Sequence, residues 1–172
     1  GILGTEMLWF ARDRSGRPLP PARWRRACMA TVGTHDMPTV AGFRTGEQVT
    51  VRARLGLLKD PEERERASSA EMLARWHAAL VAEHLLPPGE LPDTAQLTVA
   101  MYGFLHRTPA LLIGVSLADA VGEVRTQNIP GTAAEYPNWR IPLCDDQGRA
   151  VLLEDLADCT LLQQVCEAVR DG

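Results

Sequence analysis

Short apolar runs alternate with helix-like repeats along this chain, and the alternation predicts βαβ units around a parallel sheet. Three runs read as strands, at residues 7–10, 28–32 and 110–115. The third is apolar throughout, as buried parallel strands usually are. Residues 122–142 follow it as an irregular segment rich in Asn, Pro, Gly and Trp. A connection of that length inside a compact domain indicates a functional loop.

Most of the remaining chain has apolar residues at the spacing of an α-helix. In the longest repeat, Met72, Trp76 and Leu80 recur at i, i+4 and i+8, and Pro61 with the acidic residues after it is a good helix start. Asp93 is suited to cap a further helix. The predicted helices span residues 21–26, 46–58, 61–84, 94–106 and 154–170.

The best candidate site lies in residues 30–43, where His35 and Asp36 directly follow a β-branched run. Ligands of parallel α/β proteins bind at the carboxyl ends of strands. A carboxylate and an imidazole there could hold two neighbouring hydroxyl groups, such as those of a sugar. The structural alternatives are a turn or helix cap for Asp36 and a buried, hydrogen-bonded role for His35.

The composition fits one α/β domain and argues against a nucleic-acid-binding, disulfide-rich or membrane-spanning protein. The chain has 172 residues, 45% of them hydrophobic, and a net charge of −4, so we expect residues 1–172 to form a single domain without affinity for nucleic acid. Four cysteines lack C-x-x-C spacing. No leader or membrane-spanning run is evident, and a cytoplasmic protein is expected.

No metal or cofactor is predicted. His77, His84 and His106 belong to no Cys, His or carboxylate cluster with the spacing of zinc ligands. The chain also lacks a glycine-rich phosphate-binding motif.

Four ordered segments carry a resemblance to a known family. They are residues 1–10 (GILGTEMLWF), residues 30–39 with the Thr-His-Asp motif, residues 116–122 (SLADAVG), and residues 127–140, which contain QNIPGT and YPNWR. In this order the chain resembles the 4-α-glucanotransferases, or amylomaltases, of glycoside hydrolase family 77. The resemblance implies a (β/α)8 TIM barrel, of which this chain would be the carboxyl-terminal part, strands six to eight with their flanking helices.

The resemblance also implies a function. Such enzymes move α-1,4-glucan segments between maltooligosaccharide acceptors by a retaining double displacement, using an Asp nucleophile, a Glu acid/base and a second Asp that stabilises the transition state. Asp36 matches only the last of these, so the chain alone is expected to be inactive. His35, Asp119 and Asn128 are expected to bind substrate, while Trp139 is expected to pack.

Other interpretations remain open at this point. Glu6 could be imagined as an acid/base partner of Asp36, but it matches no functional position of the family, and we expect it to be structural. The chain could instead be a stand-alone α-glucan-binding or oligomer-forming module without catalysis. A hydrolase built on Thr-His-Asp is a third possibility, although no nucleophile motif accompanies it. Three strands cannot close a barrel, so a homo-oligomer is expected.

Overall fold

Three parallel strands form one sheet, in the order β1-β2-β3, in the computed structural model, which describes residues 2–170. The strands are β1 (Gly4–Met7), β2 (Cys28–Thr31) and β3 (Leu112–Gly114). Their last residues are in register, because Met7 pairs with Thr31 and Thr31 pairs with Gly114. The carboxyl ends of all three strands therefore meet at one edge of the sheet.

The α-helices lie between β2 and β3 and after β3, whereas the described connection between β1 and β2 contains only 3₁₀ turns. Within residues 2–170 the α-helices are α1 (Val40–Thr45), α2 (Glu47–Arg54), α3 (Glu62–Ala82), α4 (Thr94–His106), α5 (Leu117–Ala120) and α6 (Thr160–Ala168). Short 3₁₀ turns lie at Leu8–Phe10, Pro21–Arg23 and Leu153–Asp158. None of the helices in the described part of the chain is long and apolar enough to cross a membrane.

The two helices with the clearest sequence signals are confirmed. α3 buries Trp76 and Leu80 of its predicted repeat, together with Leu73, whereas Met72 is partly buried at the margin of the core. α4 has the predicted bounds, and the Asp93 carboxylate accepts a hydrogen bond of 2.8 Å from the backbone N–H of Gln96. That contact satisfies one of the free donors at the start of the helix.

One main core lies between the sheet and the helices α1, α3 and α4. Trp9 stacks on Phe43 with ring centroids 4.4 Å apart, and Trp76 meets Phe104 edge-on at 5.5 Å. Ala30 of β2 faces this core and is fully buried. Packing against the helices therefore holds one face of the sheet and the loops at its carboxyl edge.

Two predicted elements near the amino end are shifted. The first strand was predicted at residues 7–10, but it ends at Met7 and continues as the 3₁₀ turn Leu8–Phe10. Leu8 and Trp9 are both buried, which a strand with one open face would not allow for consecutive residues. The helix predicted at 46–58 is α2, and α1 precedes it across Gly46, whose φ of 78° ends α1 in a left-handed turn.

Two predictions in the second half of the chain are wrong in part. The third strand was expected to be buried, yet Leu112 is about half exposed because its side chain, like that of its register partner Met29, lies on the face of the sheet that the helices leave open. Leu111, which directly precedes β3, is also about half exposed. The last helix was expected to run through residues 154–170. It is interrupted at Cys159, whose extended backbone separates a 3₁₀ turn from α6.

Candidate active site

His35 and Asp36 lie in the loop between β2 and α1, at the carboxyl edge of the sheet. Their side chains are close together, with Nε2 of His35 3.3 Å from Oδ1 of Asp36. Both are accessible, since 54% of the His35 side chain and 45% of the Asp36 side chain are exposed. The alternative of a buried histidine therefore does not hold, and both groups can reach a ligand.

Asn128 connects this pair to the irregular segment 122–142, which follows α5. Its side-chain amide donates a hydrogen bond of 2.6 Å to Oδ1 of Asp36, and its backbone N–H donates one of 3.2 Å to the carbonyl of His35. The structure thus brings together three of the four predicted site residues. Both contacts to Asp36 are made at Oδ1, which leaves Oδ2 available to a hydroxyl donor.

Hydrogen bonds from its own side chains to its backbone hold the irregular segment 122–142 together. Oδ1 of Asn138 accepts a hydrogen bond of 2.9 Å from the N–H of Ile129, and its amide donates to the Thr132 hydroxyl at 2.8 Å. The hydroxyl of the buried Tyr136 donates to the carbonyl of Thr126 at 2.6 Å. These contacts explain how a segment without helix or strand can position Asn128.

Trp139 does not pack as predicted. It is 64% exposed and has a φ of 61°, a left-handed conformation that is uncommon for a bulky residue and costs roughly 1–3 kcal/mol. Its ring centroid lies 4.6 Å from that of His35, with the two rings tilted by 51°. An exposed indole therefore borders the His35 and Asp36 pair.

Asp119 is not brought to the open site, which corrects its prediction as a direct substrate ligand. It is only 4% exposed, and both carboxylate oxygens are used inside the protein. Oδ1 accepts from the backbone N–H of Val40 at 2.7 Å, and Oδ2 accepts from the hydroxyl of Tyr102 at 2.9 Å. Asp119 thereby caps α1, the helix that begins where the His-Asp loop ends.

Burial raises the pKa of Asp119 from 3.8 to about 6, although the hydrogen bonds from Val40 and Tyr102 oppose the shift. Tyr102 also accepts a hydrogen bond of 2.9 Å from the N–H of Ser116, and burial raises its pKa as well. The Asp119 and Tyr102 network therefore ties α5 and its capping residue Ser116 to the start of α1. Sequence reasoning missed Tyr102, which reads as one more apolar-face residue of α4.

The raised pKa of Asp119 predicts a pH dependence of stability. Because the folded protein holds the proton more tightly than the unfolded chain, this contribution is complete below pH 3.8 and is lost as pH rises through about 6. We expect the free energy of unfolding to fall by roughly 3 kcal/mol across that window, relative to an Asp119→Asn variant. Urea denaturation of both proteins at several pH values measures the difference. A difference that stays constant from pH 4 to 7 would contradict the assignment.

A half-buried ion pair that was not predicted from the sequence holds the irregular segment 122–142 at its other side. Glu123 is 1% exposed and accepts two hydrogen bonds from the Arg125 guanidinium, at 2.9 and 2.7 Å. It also accepts from the backbone N–H of Cys144 at 2.9 Å. Burial opposes ionisation of Glu123, but these hydrogen bonds outweigh it and lower its pKa. The available signal was a Glu and an Arg two residues apart in an otherwise apolar stretch.

Glu6 lies within β1 and not in the loop after it. Its register partner is Ala30, on the helix-covered face of the sheet, whereas the neighbouring Thr5 lines the opposite face. Glu6 lines neither of the two cavities next to the His-Asp pair. This placement supports a structural role.

Two cavities meet at the His-Asp pair. One of about 290 Å³ includes Asp36 and Asn128 in its lining and extends between α2 and α3. The other is about 500 Å³ and more open. It includes His35 in its lining and lies over the face of the sheet that the helices do not cover. Within residues 2–170, no group of three or more His, Cys, Asp or Glu side chains could hold a metal ion. The accessible carboxylate of Asp36 and imidazole of His35, between these cavities, can form hydrogen bonds with hydroxyl groups of a ligand.

Fold and site together define the class of protein: an α/β domain with a polar, carboxylate-containing site at the carboxyl edge of a parallel sheet. A family model described as 4-alpha-glucanotransferase, of glycoside hydrolase family 77, matches residues 1–146. The chain therefore belongs to this family.

Relatives and a solved structure agree with this membership. The chain is 47% identical to a 4-alpha-glucanotransferase of Mycobacterium tuberculosis H37Rv, over 99% of the chain and 24% of that protein. A 4-alpha-glucanotransferase of Haemophilus influenzae is 29% identical over 80% of the chain and 21% of that protein. The chain thus spans about a quarter of the length of the curated relatives it matches.

The crystal structure of amylomaltase from Corynebacterium glutamicum matches with a TM-score of 0.93 and 36% identity, covering 99% of this chain and 26% of that one. This match confirms the predicted α/β fold as part of a (β/α)8 barrel.

Proposed function

We propose that this chain acts, within its complete gene product, as part of a 4-α-glucanotransferase that moves α-1,4-glucan segments between maltooligosaccharide acceptors by a retaining double displacement. Family membership supports the reaction class. The observation that carries the proposal is the accessible Asp36 carboxylate, held by Asn128 beside His35 at the carboxyl edge of the sheet. No cofactor is needed for this chemistry.

Asp36 is assigned the role of a stabilising carboxylate. Glycosyl transfer passes through a state with positive charge on the sugar ring, and a fixed negative charge nearby lowers its energy. The amide of Asn128 orients the carboxylate at 2.6 Å and leaves Oδ2 for a sugar hydroxyl. His35 binds an adjacent hydroxyl of the same glucosyl unit. Asn128 positions both residues through its hydrogen bonds to the Asp36 carboxylate and the His35 carbonyl.

The remaining assignments follow from these roles. We propose residues 1–172 to be a single partial domain of the enzyme, with its strands corresponding to barrel strands six to eight. The four cysteines are free, which suits a reducing cytoplasm. The alternative is an α-glucan-binding module without catalysis, and it is supported by the resemblance to the family, in which Asp36 alone corresponds to a catalytic carboxylate.

Maltotriose disproportionation separates the two candidates. The complete gene product should convert maltotriose into glucose and longer maltodextrins, detected by chromatography. The 172-residue chain alone should produce neither above a buffer control, because one stabilising carboxylate supplies no nucleophile and no proton donor. Products from the chain alone would bring Glu6 back as a catalytic group. Glucan binding without any products from the complete protein would favour the module.

The open face of the sheet predicts that the 172-residue chain associates with itself. Met29 and Leu112 are register partners on this face and are 37% and 51% exposed. Apolar surface of this kind, next to an unpaired strand edge, promotes association. Light scattering should show a dimer or larger species, and Leu112→Glu should shift it toward monomer. The matched variant Leu153→Glu, at an 80% exposed leucine outside this face, should not. A monodisperse monomer of the unmodified chain would contradict the prediction.

A further inference from the structure

Trp139 differs from the other tryptophans of the chain in its exposure. Trp9, Trp24 and Trp76 are 1%, 6% and 1% exposed, whereas Trp139 is 64% exposed. Tryptophan buries a large apolar surface when it packs, so a protein gains little stability from one left in water. An exposed indole beside a polar site is therefore typical of ligand contact.

The indole is held in place by the loop that carries it. The backbone N–H of Trp139 donates a hydrogen bond of 3.0 Å to the carbonyl of Gln127, next to the site residue Asn128. Its neighbour Asn138 fastens the same loop through Ile129 and Thr132. Because these contacts maintain a left-handed φ of 61°, the position of the ring is set by the loop and not by burial.

The surroundings of Trp139 combine an apolar face with hydrogen-bonding groups. Its ring lies 4.6 Å from the His35 ring, and His35 lies 3.3 Å from Asp36. A pyranose ring has the complementary surface, with an apolar face of C–H groups and a rim of hydroxyls that donate and accept. Two glucosyl units joined by an α-1,4 bond therefore fit the surface formed by Trp139, His35 and Asp36, with one unit at Asp36 and the next over the indole.

We propose that Trp139 is the stacking platform of an additional glucosyl subsite, adjacent to the unit that Asp36 and His35 bind. This inference rests on the proposed function, because it assigns the same α-1,4-glucan as ligand. The subsite contributes binding to ground state and transition state alike. Loss of the ring therefore weakens substrate binding more than it slows the chemical step.

Kinetics of the complete gene product test the proposal. With maltoheptaose as donor and glucose as acceptor, Trp139→Ala should raise KM about tenfold or more and change kcat less than about threefold. Trp139→Phe keeps an aromatic face and should stay within about threefold of wild type in KM. Leu153→Ala, which also removes an exposed apolar side chain, is the matched control and should leave both constants unchanged.

Fluorescence provides a readout that does not depend on turnover. Iodide should quench the emission of Trp139 in the free enzyme, measured as the difference between wild type and Trp139→Phe, and maltoheptaose should shield it. Shielding in a wild type that transfers no glucan would still support the subsite while removing the proposed function.

An indole that iodide cannot reach in the free enzyme would overturn the inference, since another part of the protein would then cover it. So would an unchanged KM of Trp139→Ala, or an equal rise in KM for the Ala and Phe variants with a lowered Tm.

Discussion

Asp36→Asn in the complete gene product is expected to lower kcat for maltotriose disproportionation by about a thousandfold or more, equivalent to about 4 kcal/mol of barrier. The substitution removes a negative charge that interacts most strongly with the positive sugar ring of the transition state. The side chain keeps its shape and can still accept the hydrogen bond from Asn128 that now ends on Oδ1. Steady-state kinetics on maltotriose, with KM and kcat determined separately, measure the effect.

The matched control is Asp146→Asn, which makes the same chemical change in an exposed surface turn. It should leave kcat and KM within about twofold of wild type, as expected for a surface substitution. An Asp36→Asn enzyme within roughly tenfold of wild-type turnover, about 1.4 kcal/mol, would count against a stabilising role for this carboxylate.

Asp119→Ala is expected to have the largest effect on local stability near the site. It leaves the N–H of Val40 and the hydroxyl of Tyr102 buried without their acceptor, and each such loss costs about 1–3 kcal/mol. The opening free energy of α1 should fall by about 2–4 kcal/mol. Hydrogen exchange of the peptide that covers α1 should then accelerate roughly 30- to 1,000-fold. Turnover should also fall, because α1 begins where the His-Asp loop ends.

Two milder variants separate the contacts of Asp119. Tyr102→Phe removes one of the two donors and should produce a smaller acceleration than Asp119→Ala. Asp119→Asn keeps an acceptor for the N–H of Val40 and should preserve most of the protection of α1. Unchanged exchange of α1 in Asp119→Ala would show that the buried carboxylate does not hold this helix.

The sequence predicted those parts of the fold in which one segment carries its own signal. The repeat of α3 and the Asp93 cap of α4 are local features, and both elements are present as predicted. The exposure of Leu112 could not be predicted in this way, since it depends on what covers that face of the sheet and not on the strand's own sequence. The break at Cys159 was missed because the apolar spacing continues across it.

The candidate site shows the same division. His35 and Asp36 could be located from a strand end followed by polar residues, and Asn128 from the resemblance to the family. The partner of Asp119 is a backbone N–H 79 positions away in the chain, so its role as a cap of α1 has no local signature. Trp139 was predicted to pack in the protein interior because most tryptophans do. In the structure its backbone is left-handed, and its exposed ring contacts the ring of His35.

A crystal structure of the complete Asp36→Asn gene product with bound maltotetraose is the most direct test of the central claim, since the slow variant would preserve the substrate. Residue 36 and His35 should each lie about 3 Å from neighbouring hydroxyls of one glucosyl unit, as hydrogen bonds require. A glucan bound in the cleft with both side chains beyond hydrogen-bonding distance of every sugar hydroxyl would contradict the proposed site.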